Sequence, residues 1–464
     1  MVVIGFSGCV LICFQPLLYA RETPPASPRF TIFCGLIIFR SKQKIMRRFI
    51  LVAVTGLSLA LSLAAQSKRL WVLRAPGDAV EYDPATFTEK QVVKVPTEAL
   101  ASPQNLSINH AGHMLFAASV ALPLADEDLA AGRKVWLWDG HAVTMLPRDI
   151  ARTTSTTGSN LAITESAPVP FLSEDGTRLY WFANQARRLQ RDGVDLSTKT
   201  TWLGWQTDLA GAGRQDIASI ALPDCSCPTG GCEETCPYGE TWIPEQGVGR
   251  FFLLTQFVAG QTQAIYKSTS LYQESAGKWA AMPLDPPLRR VLDAPNAGAI
   301  LEAVPDTGCC GWSNESDDRT LLRIHGKVLT MFDELASYKN PDYDVSFFTM
   351  NGKLAPDLGS VALTIVATAK PNTPIQLAEQ GQANPEESQR IRKALLDLPA
   401  VEVKSVEDTP RRLAFLPQAT LVGWISNQEI LVVDGHFLAA YNVENGKRRK
   451  STIRVEDVGH VFLR

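Results

Sequence analysis

The sequence lacks the short motifs that identify the commonest enzymes. It contains no G-x-S-x-G, no H-E-x-x-H and no P-loop pattern, so signals for serine hydrolases, zinc peptidases and nucleotide-binding proteins are missing. There are only six histidines, and His141, His325 and His436 stand in or beside predicted turns. His110 and His113 are close enough in sequence to share a metal ion, but an ordinary turn explains them more simply.

Long runs of basic residues are also missing. The longest, residues 447–450, is explained by a solvated turn. The chain has 45 Lys and Arg against 48 Asp and Glu, and seven of the basic residues but one acidic residue lie in the first 65 positions. The remainder therefore carries a net charge of −9. We expect no nucleic-acid partner, because such a partner requires a concentrated basic surface.

The start of the chain is typical of a targeting segment. Met46-Arg47-Arg48 precedes the apolar run 49–63 and the small pair Ala64-Ala65, which predicts a secretory signal over residues 46–65. The run is shorter than the roughly 20 residues of a membrane-spanning helix. Residues 1–45 are interpreted as lying upstream of the true start. A membrane-anchored N-terminus is the alternative, and membrane contact is expected only in that form. The predicted location is periplasmic or extracellular.

Cysteine usage agrees with export, because the six cysteines after residue 65 are an even number. They are Cys225, Cys227, Cys232, Cys236, Cys309 and Cys310. The spacing within the first four lacks the paired C-x2-C of a zinc ribbon, so disulfides are favoured. Adjacent cysteines rarely bond to each other. We therefore expect Cys309 or Cys310 to staple its loop to the 225–236 cluster, in a connectivity that stays open.

From residue 70 onward, short apolar runs alternate with tight turns, and this alternation is typical of β-hairpins. Four examples occur at 70–82, 135–145, 321–329 and 430–438. Each contains a glycine where a tight turn needs a positive φ. The chain also has 32 glycines and 29 prolines, and only 20% charged residues. This composition favours a turn-rich globular protein over a coiled coil or a disordered chain.

A second phrase precedes several of these hairpins. Ser173-Glu174-Asp175-Gly176 comes before the strand 179–182, and similar sequences stand at 107–116 and 424–433. This phrase resembles the start of blades in TolB-like and WD40-like propeller repeats. The resemblance implies an all-β fold over residues 66–464, a single β-propeller of six to eight blades with seven favoured. The first and last hairpins look alike, and we expect them to close the ring or to share one blade.

Three insertions interrupt the rhythm, at 223–247, 305–320 and 369–410. The third contains a predicted surface helix, capped by Asn384, started by Pro385 and stopped by Pro399. The first two carry the predicted binding surface. Its residues are Trp242, Trp312, Asn314, Glu315 and Arg319.

The second insertion is also rich in oxygen-bearing side chains, which calcium accepts. Asp306, Asp317 and Asp318 are the candidate calcium ligands, with a solvated acidic loop as the alternative. No other cofactor is expected.

Two turns resemble degraded copies of the Asp-box of sialidase-type propellers. One contains Ser173, Asp175 and Trp181, and the other joins residues 266–268 to 277–279. The favoured function is that of an exported, non-catalytic propeller whose stapled loop face binds a protein or a glycan. The alternatives are an exported glycosidase and a calcium-stiffened scaffold. A convergent set of carboxylates, tyrosine and arginine at the mouth of the ring would favour the glycosidase.

Overall fold

In the computed structural model the chain divides into two units, Met1–Ser67 and Lys68–Arg464. In the first unit, β1 (Val2–Phe6) pairs antiparallel with β2 (Cys9–Cys13). The predicted signal at 46–65 lies outside the described residues. The structure describes residues 2–6, 9–13, 68–74, 77–97, 106–109, 112–121, 131–147, 154–158, 161–191, 194–222, 225–226, 238–245, 247–258, 265–304, 319–333, 345–369 and 398–464. Within these ranges no helix is long and apolar enough to cross a membrane.

The second unit is a seven-bladed β-propeller, as the repeat pattern predicts. Each blade is an antiparallel sheet, whose strands we call A to D from the axis outward. Blade 1 consists of β33 (Val461–Leu463), β3 (Leu70–Arg74), β4 (Asp78–Tyr82) and β5 (Glu89–Lys94). Blade 2 consists of β6 (Leu106–Ile108), β7 (Met114–Ala121), β8 (Ala131–Trp138) and β9 (Val143–Met145).

Blade 3 has strands A to D in β12 (Val169–Leu172), β13 (Arg178–Arg191), β14 (Val194–Asp208) and β15 (Gln215–Ala221). It also includes β10 (Thr154–Thr157), β11 (Leu161–Glu165) and β16 (Cys225–Ser226). Blade 4 consists of β17 (Tyr238–Trp242), β18 (Phe251–Val258), β19 (Ile265–Ser275) and β20 (Lys278–Leu284).

Blade 5 consists of β21 (Arg290–Asn296), β22 (Ala299–Val304), β23 (Arg319–Ile324) and β24 (Lys327–Asp333). Blade 6 consists of β25 (Val345–Leu354), β26 (Ser360–Ala369), β27 (Ala400–Ser405) and β28 (Arg412–Leu416). Blade 7 consists of β29 (Ala419–Trp424), β30 (Glu429–Asp434), β31 (Phe437–Asn442) and β32 (Arg448–Arg454), and a 3-10 turn (Val458–His460) leads from it to β33.

The ring closes within blade 1. Strand β33 pairs with β3, in a register that places Leu463 opposite Leu70, and the Arg464 amide donates to the Arg69 carbonyl over 2.8 Å. The first hairpin therefore shares its blade with the last strand of the ring. The final hairpin, β30 with β31, belongs to blade 7, so the expectation that both hairpins share one blade is wrong. Their likeness reflects the repeat itself.

Apolar side chains fill the spaces between consecutive blades. Seven hydrophobic clusters join the seven neighbouring pairs, and the one that joins blades 7 and 1 includes Leu70 and Leu431. Between blades 3 and 4 the cluster is aromatic: Phe182 stacks on Trp202 with ring centroids 5.5 Å apart, and Phe252 on Tyr272 at 4.9 Å. Because neighbours cover both faces of each sheet, no blade needs a core of its own.

The recurring serine phrase forms the turn between strands A and B. In blade 3 the Ser173 hydroxyl accepts from the Arg178 amide over 3.0 Å and donates to the Asp175 carboxylate over 2.6 Å. Gly176 has a φ of +70°, and a β-carbon there would lie 2.5 Å from Nδ1 of His113 in blade 2. Glycine is therefore required both by the backbone and by the close approach of the neighbouring blade.

The strand order gives the ring two different ends. We call the end that carries the A–B and C–D turns the AB face, and the end that carries the B–C loops and the connections between blades the BC face. Residues 305–318 and 370–397, which make up most of the predicted insertions 305–320 and 369–410, each lie between a B strand and a C strand and so leave the ring at the BC face. The helix predicted in the latter lies outside the described residues.

The structure also shortens the predicted insertions. Strand β17 lies inside the predicted range 223–247, β23 begins at Arg319, and β27 lies inside 369–410. The sequence does not reveal the short inner strand β17, because prolines, glycines and cysteines surround it. Neighbouring strands supply much of its stabilisation. Local composition does not record that support.

Candidate functional site

Blade 3 extends beyond the ring at the BC face. Its strands β13 and β14 are 14 and 15 residues long, whereas strand A, β12, pairs only with residues 179–182 of β13. Further along β13, residues 185–189 pair with β11, which in turn pairs with β10. Strand β16 pairs with β14 on the other side. The pairs beyond residue 184 add about 23 Å at 3.3 Å per residue.

One face of this extension is open and partly apolar. Leu161 and Leu189 lie directly opposite each other and are 42% and 47% exposed. On the next rung, Arg187 lies between Ile163 and Lys199, and both cationic side chains are exposed. We call these five residues the leucine face. On the opposite face Ala162 and Thr200 are buried, whereas Arg188, which pairs with Ala162, is exposed.

Two of the five predicted binding residues are described, and the structure does not bring them together. Trp242 ends β17 and packs, half-buried, against the cluster between blades 4 and 5. Strand β17 runs toward the AB face, whereas Arg319 begins β23 at the BC face. Trp312, Asn314 and Glu315 lie outside the described residues, so a binding surface on that loop stays a prediction.

The predicted calcium ligands Asp306, Asp317 and Asp318 also lie outside the described part of the chain. Among the residues that the structure does describe, no group of three or more His, Cys, Asp or Glu side chains could hold a metal ion. Of the six cysteines only Cys225 is described. It lies in β16, opposite Thr198 of β14, which places it on the blade 3 extension at the BC face.

At the AB face, charged side chains from four blades converge near the axis of the ring. We call this group the axial ion cluster. Its members are Lys68 and Arg464 of blade 1, Glu245 of blade 4, Asp293 of blade 5 and Lys353 of blade 6. The Glu245 carboxylate accepts from Lys353 Nζ at one oxygen, and from Arg464 over 2.8 Å at the other. Since blades 1 and 4 are three positions apart in the ring, the second contact spans the channel.

The second carboxylate of the cluster is more deeply buried. One oxygen of Asp293 lies 4.0 Å from Lys353 Nζ, and the other accepts from the Leu354 amide over 2.8 Å. Lys353 and Arg464 keep only 10% of their side-chain surface exposed. Four of these side chains lie in strand A, directly after it or in the adjoining A–B turn, and Lys68 precedes strand B of blade 1, so the propeller topology alone accounts for their meeting.

The two carboxyl groups titrate in opposite directions. Burial would raise the pKa of Glu245, but attraction to Lys353 and Arg464 and the hydrogen bond from Lys353 outweigh it and lower the pKa to about 2. Burial raises the pKa of Asp293, and repulsion from Glu245 adds to the effect, against the attraction of Lys353. Burial also lowers the pKa of Lys68, although both carboxylates oppose this.

The cluster is better suited to holding the ring together than to chemistry. Both Glu245 oxygens are occupied by cations, and no tyrosine belongs to the group, although a sialidase-like site needs a tyrosine nucleophile. Nothing in the sequence pattern identifies these five residues, because they are isolated charges spread from position 68 to position 464. The turn that contains Ser173 and Asp175 is likewise occupied by its own hydrogen bonds.

No family model and no curated protein matches the chain. Among solved structures it is similar to the acylaminoacyl peptidase of Pyrococcus horikoshii, at 12% identity and a TM-score of 0.40, over 81% of this chain and 48% of the peptidase. The chain thus spans about half of that enzyme's length. The β-propeller domain of the Trilobed protease from Pyrococcus furiosus matches at 10% identity and a TM-score of 0.38, over 84% and 94% of the two chains.

The WD40 domain of SCAP from fission yeast matches at 9% identity and a TM-score of 0.31, over 84% of this chain and 85% of that one. At such identities these likenesses concern the fold alone. A relationship to TolB in particular stays a prediction.

Proposed function

We propose that the chain is an exported, non-catalytic binding protein whose BC face takes up a protein or a glycan. The observation that carries the proposal is the unequal build of the two ends of the ring. At the AB face the blades turn within a few residues, as at 276–277 and 325–326. At the BC face, blades 5 and 6 carry the two insertions and blade 3 carries its extension. Loops that a rigid scaffold positions are the usual place of binding sites.

Export rests on the signal pattern at 46–65 and on the even cysteine count. Cys225 of β16 belongs to the blade 3 extension, and Cys309 and Cys310 belong to the blade 5 insertion. Both segments leave the ring at the BC face, which supports the proposed staple between them. Such a disulfide would fix the relative position of two loops at the proposed binding surface, and a native disulfide typically contributes about 2–5 kcal/mol.

A thermal-shift screen tests the proposal. The purified chain is melted with calcium chloride, EDTA and a panel of cell-wall and plant glycans, with and without reductant. A ligand of the native state raises the melting temperature by mass action. We expect one glycan class to raise it and reductant to lower it. Arg319→Glu should abolish the ligand shift, whereas the matched control Lys447→Glu, in an AB-face turn, should leave it intact.

Other outcomes contradict particular parts of the proposal. A melt that reductant does not change would exclude the staple. If a glycan that raises the melting temperature is also cleaved to sugar products, the protein is a glycosidase. If calcium alone raises the melting temperature, the calcium-stiffened scaffold is favoured, with the loop at 305–320 as the calcium site. Loss of the ligand shift in Lys447→Glu, with Arg319→Glu unaffected, would move the site to the AB face.

A further inference from the structure

We propose that the axial ion cluster binds a small carboxylate anion, held by Lys68 and Arg464 at the AB-face mouth of the channel. This site lies at the opposite end of the ring from the binding surface proposed above. Three features of the cluster support it: a surplus of positive charge, an unused buried donor and access from solvent.

The cluster holds more cations than anions. Lys68, Lys353 and Arg464 stand against two carboxylates, those of Glu245 and Asp293. With both carboxyl groups ionised the surplus is one positive charge. Burial raises the pKa of Asp293, which makes the surplus larger whenever this group takes up a proton. Unbalanced charge is costly in a buried place, and a bound anion removes that cost.

One donor of Arg464 is buried and unused. This side chain keeps only 10% of its surface exposed, and its Nη1 donates to the Glu245 carboxylate over 2.8 Å and to the Leu463 carbonyl over 3.4 Å. Its Nε–H is buried and, within the described part of the chain, has no acceptor. Buried donors are nearly always paired, so this one indicates an acceptor that the fold itself does not supply.

Lys68 is the second cation that the carboxylates leave unpaired. Burial lowers its pKa, although attraction to Glu245 and Asp293 opposes this. The two Glu245 oxygens accept from Lys353 and Arg464 instead, and among the described residues no hydrogen bond from the Lys68 ammonium is found. The next residue in the chain adds no surplus charge, because Arg69 lies 3.7 Å from the Glu81 carboxylate.

A carboxylate matches this arrangement better than other small ligands. It carries one negative charge, and its two oxygens would accept from Arg464 Nε and from Lys68 Nζ in charge-assisted hydrogen bonds. Inorganic phosphate carries a second negative charge, which the ionised Glu245 repels. A metal cation would be repelled by the three cationic side chains. The ligand can enter from solvent, because 39% of the Glu245 side chain is exposed.

The probe is sodium acetate, compared with sodium chloride and sodium phosphate at equal ionic strength and pH 7. Acetate should raise the melting temperature of the full chain above its value in chloride. Lys68→Met keeps the aliphatic stem, removes the ammonium and should abolish this difference. Arg464→Lys keeps a cation beside Glu245 but lacks the Nε–H, and should weaken acetate binding about tenfold or more. The matched control is Lys278→Met on the outer strand of blade 4, where Lys278 is exposed.

A second measurement separates binding at this site from a general effect of salt on stability. In the NMR spectrum of the full chain, acetate should shift the Nε–H resonance of Arg464, which is assigned by its loss in Arg464→Lys. Chloride at the same ionic strength should not produce the same shift.

Several results would overturn the inference. They are an acetate effect no larger than that of chloride, an effect that persists in Lys68→Met, and an equal loss in Lys278→Met. A larger Lys68-dependent effect with phosphate would replace the carboxylate by phosphate as the ligand. Arg319→Glu, which should abolish the glycan shift, should leave the acetate effect intact, so the anion site and the proposed function can fail separately.

Discussion

The axial ion cluster and the leucine face are two charged regions at opposite ends of one ring, and they are built in opposite ways. The cluster draws side chains from four blades and places each carboxylate beside cations, with Lys353 and Arg464 almost fully buried. The leucine face draws on three strands of one blade and leaves two cations and two leucines exposed. The charges of the cluster meet across the ring and hold blades together, whereas Arg187 is hydrogen-bonded within its own blade, to Gln185.

The largest expected difference comes from removing one cation at each region. Lys353→Met leaves Glu245 and Asp293 without their shared partner, and breaking such a buried pair costs about 3–5 kcal/mol. Arg187→Met removes an exposed side chain and its hydrogen bond to the Gln185 side chain, and should change stability by less than about 0.5 kcal/mol. Guanidinium unfolding midpoints measure both. Equal shifts of the two midpoints would show that the axial ion cluster contributes no more to stability than the leucine face does.

The two carboxylates of the cluster should respond to pH with opposite signs. Glu245 has a lowered pKa, so its stabilisation is complete above its ordinary pKa of 4.5 and is lost as pH falls toward 2. Asp293 has a raised pKa, so its contribution is present at low pH and is lost as pH rises through that value.

Glu245→Gln should therefore lower stability at pH 7 and flatten its acid dependence. Because 39% of the Glu245 side chain is exposed, solvent screening reduces the expected loss to about 1 kcal/mol. Asp293→Asn keeps an oxygen for the Leu354 amide and should cost less at pH 7 than at pH 4. The measurement is the free energy of unfolding of both variants from pH 3 to pH 8. Curves that run parallel for the two variants would contradict the opposite pKa shifts of Glu245 and Asp293.

The smallest expected effect is a change in stability that depends on salt concentration at the leucine face but not at the axial ion cluster. Arg187→Glu replaces a like-charged cross-strand pair with an opposite one and should raise stability by about 0.2–1 kcal/mol at low ionic strength. At 1 M sodium chloride, where the screening length is about 3 Å, this gain should vanish. The loss in Lys353→Met should persist, because buried pairs are screened less. A gain in Arg187→Glu that survives salt would indicate a packing effect.

The architecture could be predicted from sequence because propellers repeat locally. Each A–B turn imposes the same demands, so the phrase at Ser173 and the Gly176 position recur along the chain, and the hairpins at 70–82 and 430–438 are confirmed. Length and repeat size limited the blade number to six to eight, and the structure shows seven. Hairpins and A–B turns depend on residues that are close together in the chain, so a single sequence is enough to predict them.

The axial ion cluster and the leucine face could not be predicted in the same way. Glu245 and Arg464 are 219 residues apart, and only the closed ring brings them together. Strands β10 and β11 lie in a stretch rich in serine and threonine that carries no strong alternation, and their pairing depends on the unusual length of β13. Trp242, selected for its aromatic ring, is half-buried and packs against the cluster between blades 4 and 5.

The closure of blade 1 by β33 also sets an order for assembly during synthesis. Strand β3 is among the first parts of the ring to be made, and its inner edge stays without a partner until residues 461–463 follow. A nascent chain that folded early would expose that edge, and open strand edges promote aggregation. Cooperative folding of the whole ring, after its last strand has emerged, avoids this hazard.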